Sequence, residues 1–402
     1  MPQRNWTTER VRANFRIDTF SAVCAGAYLG VVVAFVPVVV RRMGGSTFEV
    51  ALVVAAPFLG HLLTPLFSYL FAGLRPVRVV AATGTVSRLI FLCGVLVATT
   101  PFLLALTSVV SWMIAIANIA SYATLMQAIY PDSERAQAMG KVRIGSSLAA
   151  IVSATAAGLL IDAVPATIVF AAAALVSLPG ALAFARIRHE PPPIPAPRRP
   201  VPVVAREIWS DRRYRRLLVA FSVFGFGNLM NAAVFPIMLV DHFNAPNTFV
   251  GVMAALQSGT MVVAFLAWGR FIDRGSSLRM SVVNTALVLL VPLGYLVAPS
   301  TLFLLPVAIV AGITNAGGDV MFFTNVVQIA PHGRVGEYAA AQSFLLGVRG
   351  TIAPFVASLL LVTVAPQAVL VLSITLMVTG LVMLDRAVRA VTPVPALEPA
   401  PA

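Results

Sequence analysis

Long apolar runs alternate with short polar segments along almost the whole chain. Each run has about 20 residues, and a helix of that length, rising 1.5 Å per residue, crosses a hydrocarbon layer of about 30 Å. The pattern predicts an all-α integral membrane protein with twelve transmembrane helices. The predicted helices are 18–40, 50–72, 77–98, 102–128, 142–161, 166–184, 217–239, 249–269, 280–297, 302–328, 337–362 and 368–384.

The composition excludes a soluble globular protein. Of the 402 residues, 59% are hydrophobic and only 11% are charged, whereas a soluble domain carries roughly a quarter charged residues. The net charge is +13. In a nucleic-acid-binding protein such an excess forms a basic face with interleaved aromatic side chains, but here the arginines stand between the apolar runs. We therefore interpret them as signals of membrane topology, and expect no nucleic-acid partner.

The arginines are unequally divided between the two sides of the predicted membrane. With the N-terminus inside, the inner segments carry nearly all of them, and the outer loops carry only Arg41 and Arg42. Positive residues are enriched on the cytoplasmic side of membrane proteins, so we expect both termini in the cytoplasm. A single lysine, Lys141, among many arginines is typical of a GC-rich bacterial genome, which predicts a bacterial inner-membrane location. The first apolar run is too long for a signal peptide, so the first helix is expected to stay uncleaved.

The chain is predicted to consist of two related halves. Short basic turns follow the second and the eighth helix, at 73–78 and 269–275, and internal symmetry of this kind is common in transporters. A Pro/Arg-rich segment, with an interfacial helix expected within 206–216, separates the halves. The predicted units are an N-terminal six-helix bundle (1–187), a cytoplasmic linker (188–213), a C-terminal six-helix bundle (214–389) and a disordered tail (390–402).

These turns resemble those of the major facilitator superfamily. The segment Gly269-Arg-Phe-Ile-Asp273-Arg274-Gly275 is similar to that superfamily's loop between helices 2 and 3, here in the repeat position between helices 8 and 9. The matching first-half turn, Gly73-Leu74-Arg75, has no acidic residue where the aspartate is expected. Segments 131–162 and 331–361 resemble the helix 4–5 and helix 10–11 regions. The resemblance, closest to a bacterial branch of unassigned substrate, implies two six-helix bundles around a central cavity and transport by alternating access.

Asp319 is the main candidate for coupling, because it is the only acidic residue deep within a predicted helix. A carboxyl group in a low dielectric binds protons more readily, and a nearby arginine opposes that effect. Arg349, on the next helix, is the expected partner. Two interpretations stay open: proton exchange during transport, or a fixed ion pair that ties helices 10 and 11.

Five other polar residues are predicted near mid-depth, where a polar group needs a partner or water. Amide side chains both donate and accept hydrogen bonds, and so suit a polar substrate. His61 lies between two prolines on a helix that we expect to be kinked, and could titrate near neutral pH. The alternative for all of them is interhelical hydrogen bonding or packing. The candidate cavity residues are Tyr28, His61, Asn228, Asn231 and Asn315.

Charged residues at the cytoplasmic rim are candidates for a gate. Arg143, Asp273 and Arg274 could form ion pairs when the inner side is closed, or could be solvated topology charges. Arg88 lies on a helix that is peripheral in the resembled fold, and is predicted to be structural. Asp18, near the start of the first helix, is predicted to form an interfacial ion pair rather than a coupling site.

The sequence carries no sign of catalysis. No HExxH or GxSxG motif occurs and only four histidines are present, so we expect no enzyme. The chain also lacks a glycine-rich Walker loop, which argues against transport driven by ATP. Cys24 and Cys93 lie within apolar runs, so we expect neither a disulfide nor a metal site, and no cofactor.

The resemblance and the mid-depth polar residues together favour a secondary active transporter of a small organic solute, coupled to protons. Aromatic residues such as Phe35, Trp112 and Phe224 would give the cavity partly apolar walls, which favours efflux of an amphipathic solute. The alternative is a non-transporting sensor or scaffold with the same fold. The expected partners are the solute, protons and the lipid bilayer, and the protein is expected to be a monomer.

Overall fold

A computed structural model describes residues 8–71, 73–188, 200–273, 276–331 and 334–391, and within these ranges every regular element is helical. A π-helical turn, Met238–His242, continues α10, and a 3₁₀ turn, Thr301–Phe303, precedes α14. The α-helices are α1 (Thr8–Arg42), α2 (Thr47–Leu62), α3 (Thr64–Leu70), α4 (Pro76–Val97), α5 (Pro101–Ile116), α6 (Ile119–Ile129), α7 (Asp132–Ile161), α8 (Ala166–Phe184), α9 (Val201–Ser210), α10 (Arg212–Ile237), α11 (Asn247–Asp273), α12 (Ser277–Val288), α13 (Leu290–Val297), α14 (Leu304–Ile329), α15 (Val335–Leu360) and α16 (Pro366–Val391).

Apart from α9, these helices form twelve membrane crossings, as predicted. Ten segments of the described chain are long and apolar enough to span a membrane, and α5 with α6, bent by 42°, is an eleventh. The twelfth is α2 continued by α3. The break between α2 and α3 directly precedes Pro65, because proline lacks the N–H that would continue the helix.

Local signals fix several helix starts. Ser46 and Glu49 form a capping box in which each side chain binds the backbone N–H of the other. Thr100 accepts a hydrogen bond from the Leu103 N–H, and Pro101 occupies the first helical position of α5. Both capped helices follow short connections, residues 43–46 between α1 and α2 and residues 98–100 between α4 and α5.

The largest extensions beyond the apolar pattern are at one end of each of three helices. Helix α1 begins at Thr8 rather than residue 18, α7 begins at Asp132 rather than 142, and α16 ends at Val391 rather than 384. Hydropathy detects only the part of a helix that crosses hydrocarbon, whereas the helix continues into the polar region. As a result Asp18 lies well inside α1 instead of at its start.

The short helix α9 packs against the ends of α10 and α15. Its Ile208 is buried with Tyr214 and Tyr338, and Glu207 forms an ion pair of 2.7 Å with Arg334. The interfacial helix expected within 206–216 is therefore placed earlier, at Val201–Ser210, and residues 212–216 belong to α10. The remainder of the predicted linker, 189–199, and most of the predicted tail lie outside the described residues.

The helices pack as two groups, α1–α8 and α10–α16. Two long seams join the groups: α2 lies along α15, and α7 lies along α11. Each seam joins the second crossing of one half to the fifth crossing of the other, so the two seams are related by the internal repeat. We call the side where α1 begins and α16 ends the terminal face, and the opposite side the far face.

The seam between α7 and α11 depends on two facing glycines. A Cβ atom at Gly158 would lie 2.8 Å from the Asn247 carbonyl oxygen, and one at Gly251 would lie 2.7 Å from the Ala154 carbonyl oxygen. Both distances are shorter than ordinary contacts, so only glycine permits this approach of the two backbones. The contact lies near the far-face ends of both helices.

Candidate functional site: the cavity between the bundles and its gates

An ion pair closes the far face between α1 and α10. Arg41, at the end of α1, donates from Nε to Asp241 Oδ1 at 3.0 Å and to Oδ2 at 2.9 Å. The neighbouring Arg42 donates to the Ala245 carbonyl oxygen. Asp241 lies at the end of the seventh crossing, 200 residues after Arg41, so the repeat places opposite charges at equivalent positions.

Asp162 closes the far face between α7 and α11. Its Oδ1 accepts hydrogen bonds from the backbone and side-chain nitrogens of Asn247, at 3.3 and 2.8 Å. Its Oδ2 accepts from the backbone N–H and the hydroxyl of Thr248, at 2.9 and 2.8 Å. The carboxylate thus caps the first turn of α11, a helix of the other bundle. Burial acts to raise the pKa of Asp162, but these hydrogen bonds outweigh it and hold the pKa below its ordinary value of 3.8.

The seam between α2 and α15 is joined at the far face by hydrogen bonds between uncharged groups. Thr47, at the start of α2, donates to the Ser358 carbonyl oxygen at 3.1 Å, and the Ser358 hydroxyl lies 3.0 Å from the Thr47 hydroxyl. Further along this seam, Gly347 packs against the backbone of Leu62. Among the described residues, most hydrogen bonds between the bundles therefore lie at the far face.

At the terminal-face side, one ion pair bridges the bundles among the described residues. Arg143 Nη1 of α7 lies 3.6 Å from Asp319 Oδ2 of α14, and both side chains are about half exposed, at 51% and 50%. Arg143 is 11 residues into α7, or about 16 Å from its start, so it lies deeper than the rim position predicted for it. Toward the terminal face the described polar contacts between the bundles are thus fewer, and we infer that the space between the bundles, called the cavity below, opens on that side.

The expected pairing of Asp319 with Arg349 is wrong. Arg349 donates to the Phe221 carbonyl oxygen of α10 and packs against Gly225. The glycines on either side of Arg349 turn one face of α15 to α2, so the arginine points to α10 instead. Sequence order made helices 10 and 11 neighbours, but it did not fix which face each helix presents.

The predicted cavity residues divide into two groups. Asn315 is exposed one turn before Asp319 on the same face of α14, so it faces the cavity, and Asn228 is partly exposed on α10. His61 is partly buried at the seam of α2 with α15, where no described group bonds its Nδ1. Tyr28 and Asn231, at 2% and 1% exposure, are buried inside the bundles rather than at the cavity surface.

The contacts of Asn231 and Tyr28 explain why these side chains lie inside the bundles. The Asn231 Oδ1 accepts a hydrogen bond of 2.6 Å from Ser373, which ties α10 to α16. The Tyr28 ring lies 3.9 Å from the guanidinium carbon of Arg88. Phe35 and Phe224 are likewise buried, so they do not give the cavity the apolar walls that were expected of them.

The two remaining gate candidates lie at the end of α11. Asp273 is the last residue of that helix, but its side chain is outside the described part of the chain, as is the whole of Arg274. Their expected role as gate ion pairs stays a prediction.

Two functional candidates were missed or misplaced by the sequence interpretation. Asp18 is only 2% exposed and accepts a hydrogen bond of 2.8 Å from the Tyr130 hydroxyl, so it is not the interfacial ion pair that was expected. Arg88 donates to Ser177 at 2.9 Å and lines a cavity inside the first bundle. Helix α1 continues toward Thr8, and recognising this continuation would have placed Asp18 inside a helix rather than at its start. The arginines of this segment led to its interpretation as a polar segment before the first helix.

A groove of about 1060 Å³ lies on the bundle surface, away from the space between the bundles. It is lined almost entirely by apolar side chains of α11 and α12, with Ile151 and Thr155 of α7 at its edge. Such a surface suits lipid and offers few polar groups for orienting a solute. The candidate site is therefore the cavity between the bundles.

Comparison with known proteins agrees with this architecture. A family model described as Major Facilitator Superfamily matches residues 19–354 and 217–401. No protein in the curated collection searched matches the chain.

Solved transporter structures share the fold. A mutant of the nucleoside transporter NupG aligns with a TM-score of 0.71 at 13% identity, over 94% of this chain and 99% of that one. A bacterial homolog of the human lysosomal transporter Spinster, inward-facing and unoccupied, aligns with a TM-score of 0.69 at 13% identity, over 96% and 98%. Unmutated NupG aligns with a TM-score of 0.68 at 14% identity, over 94% and 99%. With twelve crossings, two bundles and a family match along most of its length, this chain belongs to the Major Facilitator Superfamily.

Proposed function

We propose that this protein is a secondary active transporter that moves a small organic solute across the bacterial cytoplasmic membrane by alternating access. The supporting observation is a contrast among the described residues: several hydrogen bonds join the bundles at the far face, whereas one long ion pair bridges them on the terminal-face side. A cavity open on one side is what rocking of two bundles around a fixed site requires.

The terminal face is the cytoplasmic face in this proposal. Arg10, Arg12 and Arg16 near the start of α1 lie on that side, as does Arg206 of α9. Cytoplasmic loops are enriched in positive residues. The arrangement described above is then the inward-open state, with both termini in the cytoplasm.

Asp319 is the proposed coupling residue, and Arg143 replaces Arg349 as its partner. The pair spans the two bundles, so it can persist only while α7 and α14 stay close. Protonation of Asp319 would remove its charge and release Arg143. Proton binding would thereby be linked to the distance between the bundles.

The rocking motion can be tested by distance measurement with spin labels. The background carries Cys24→Ala and Cys93→Ala. One pair, Met43→Cys with Asn244→Cys, reports the far face, and another, Lys141→Cys with Phe344→Cys, reports the terminal-face half. Double electron–electron resonance should show the two distances changing in opposite directions between two pH values. Distances that never change would favour the sensor or scaffold alternative.

The coupling can be tested in proteoliposomes that contain a pH-sensitive dye. Solutes of a library that cause proton movement in the wild type should cause none with Asp319→Asn. Arg279→Gln, which removes an exposed charge at the start of α12, is the matched control and should behave as the wild type. Solute-driven proton movement that survives Asp319→Asn contradicts the coupling role.

A further inference from the structure

The N-terminal bundle contains its own polar cavity, and all of its lining residues belong to that bundle. Its volume is about 310 Å³, equal to the liquid volume of about ten water molecules. Five crossings contribute to its walls. The polar lining includes Asp18, Ser21, Arg88, Asn118, Tyr122 and Arg143.

The inner part of the cavity holds an arginine without a counter-ion. Arg88 stacks on Tyr28 and donates to the hydroxyls of Ser177, at 2.9 Å, and Ser87, at 3.1 Å. Among the described residues no carboxylate forms an ion pair with it. A guanidinium has five N–H donors, so further donors are free to bind a ligand. A cation removed from water without an anion is costly, and a bound anion would offset that cost.

The fold does not need this arginine for packing. The internal repeat relates positions about 200 residues apart, as Arg41 and Asp241 illustrate. At the positions that correspond to Arg88 and Ser177, the second bundle has Val288 and Met377, and Met377 is fully buried. The C-terminal bundle is thus packed with apolar side chains at the positions where the N-terminal bundle has Arg88 and a cavity. This difference favours a ligand-binding role for Arg88 over a structural one.

The opposite end of the cavity provides an entrance. Arg143 lines it and also reaches across to Asp319 of the other bundle, with its side chain about half exposed. Asp18 lies at the same end, and its carboxylate accepts from the Tyr130 hydroxyl. The Asn118 amide donates to Thr83 at 2.8 Å, which leaves its oxygen for the cavity.

We propose that this cavity binds a small organic anion, with its acidic group on Arg88 and its entrance beside Arg143. The site goes beyond the transport proposal, because its binding can be measured without any flux. An anion that enters competes with Asp319 for Arg143. Occupancy of the cavity would therefore weaken the Arg143–Asp319 ion pair between the bundles.

Three ligands of one shape and different charge test the proposal: benzoate, the neutral benzamide and the cationic benzamidine. Calorimetric titration of the full-length protein in detergent should show benzoate binding with a millimolar or lower dissociation constant, at least about tenfold tighter than the other two. Arg88→Gln should weaken benzoate binding at least about tenfold, and Arg88→Lys should weaken it less. Arg279→Gln, the same charge change outside the cavity, should leave it unchanged.

If Arg88→Gln does not fold, Ser21→Asp gives a second test, because it adds a negative charge to the wall and should abolish benzoate binding. Equal binding of the three ligands, absence of benzoate binding, or benzoate binding that neither substitution weakens would overturn the proposal. Binding of benzamidine that Asp18→Asn removes would also overturn it, and would assign the cavity to cations.

Discussion

The two ends of the bundle interface are built differently. At the far face, Asp162 accepts four hydrogen bonds and Arg41 forms a two-pronged pair with Asp241. On the terminal-face side, Arg143 and Asp319 are 3.6 Å apart and half exposed. Exposed ion pairs contribute about 0–1 kcal/mol, whereas hydrogen bonds to charged groups contribute about 1.5–3 kcal/mol. Among the described residues, the far face therefore has more and shorter polar contacts between the bundles than the terminal-face side.

The largest effect is expected from a side chain at the glycine contact. Gly158→Leu would place a Cβ atom 2.8 Å from the Asn247 carbonyl oxygen, and overpacking of this kind costs about 1–3 kcal/mol. We expect a longer far-face distance between spin labels at positions 43 and 244. Gly140→Leu is the control on the same helix, because nothing lies within 4 Å of its Cβ position. An unchanged distance with Gly158→Leu would mean that this seam does not hold the far face closed.

Loss of the charged cap should have the next largest effect. Asp162→Ala removes the acceptor for Asn247 and Thr248, and loss of a helix cap costs about 0.5–2 kcal/mol. The far-face distance should lengthen, and the midpoint of thermal unfolding should fall. Thr47→Ala, at the uncharged seam, should have the smaller effect. A larger effect of Thr47→Ala than of Asp162→Ala would contradict the conclusion that the charged cap contributes more to closure than the uncharged seam.

The pH dependence of this cap has a definite sign. The pKa of Asp162 is lower in the closed arrangement than its ordinary value of 3.8. Its contribution is therefore complete above pH 3.8, and is lost as the pH falls through the lowered pKa. Far-face distances should not change between pH 5 and pH 8 on account of this residue. A change in that range that Asp162→Asn abolishes would refute the assignment.

A smaller effect is expected at Arg41. Arg41→Ala should cost about 0.5–1 kcal/mol, because the pair is partly exposed but well aligned. A double-mutant cycle with Asp241→Ala, read by thermal unfolding, measures the coupling directly. An energy near zero would show that the pair adds nothing to closure of the far face.

The smallest structural effect is expected at the terminal-face pair. Asp319→Asn and Arg143→Gln should change the free energy of unfolding by no more than about 0.5 kcal/mol, given the long distance and the exposure. Thermal unfolding in detergent provides the measurement. A loss as large as that of Asp162→Ala would mean that the inner pair is a structural tie rather than a gate.

The candidate site was predictable in part. Asp319 and Asn315 were recognised as polar residues within a predicted helix, and Arg143 as a charged residue at the cytoplasmic rim; both are local properties of the sequence. Their partners were not predictable, because adjacent residues on a helix differ by about 100° in direction and small errors in rotation exchange one partner for another. Asp162 was missed as a cap because the groups that donate hydrogen bonds to it lie 85 residues later in the chain.

The sequence by itself determined the twelve crossings, the uneven distribution of arginine and the internal repeat. In a membrane each helix satisfies its own backbone hydrogen bonds, so a span can be recognised from its own residues. Tertiary structure alone decided that Asp319 meets Arg143, that Asp18 is buried and that Arg88 lines a cavity. These outcomes depend on how helices rotate and pack against one another, and packing in lipid is governed by contacts between distant segments.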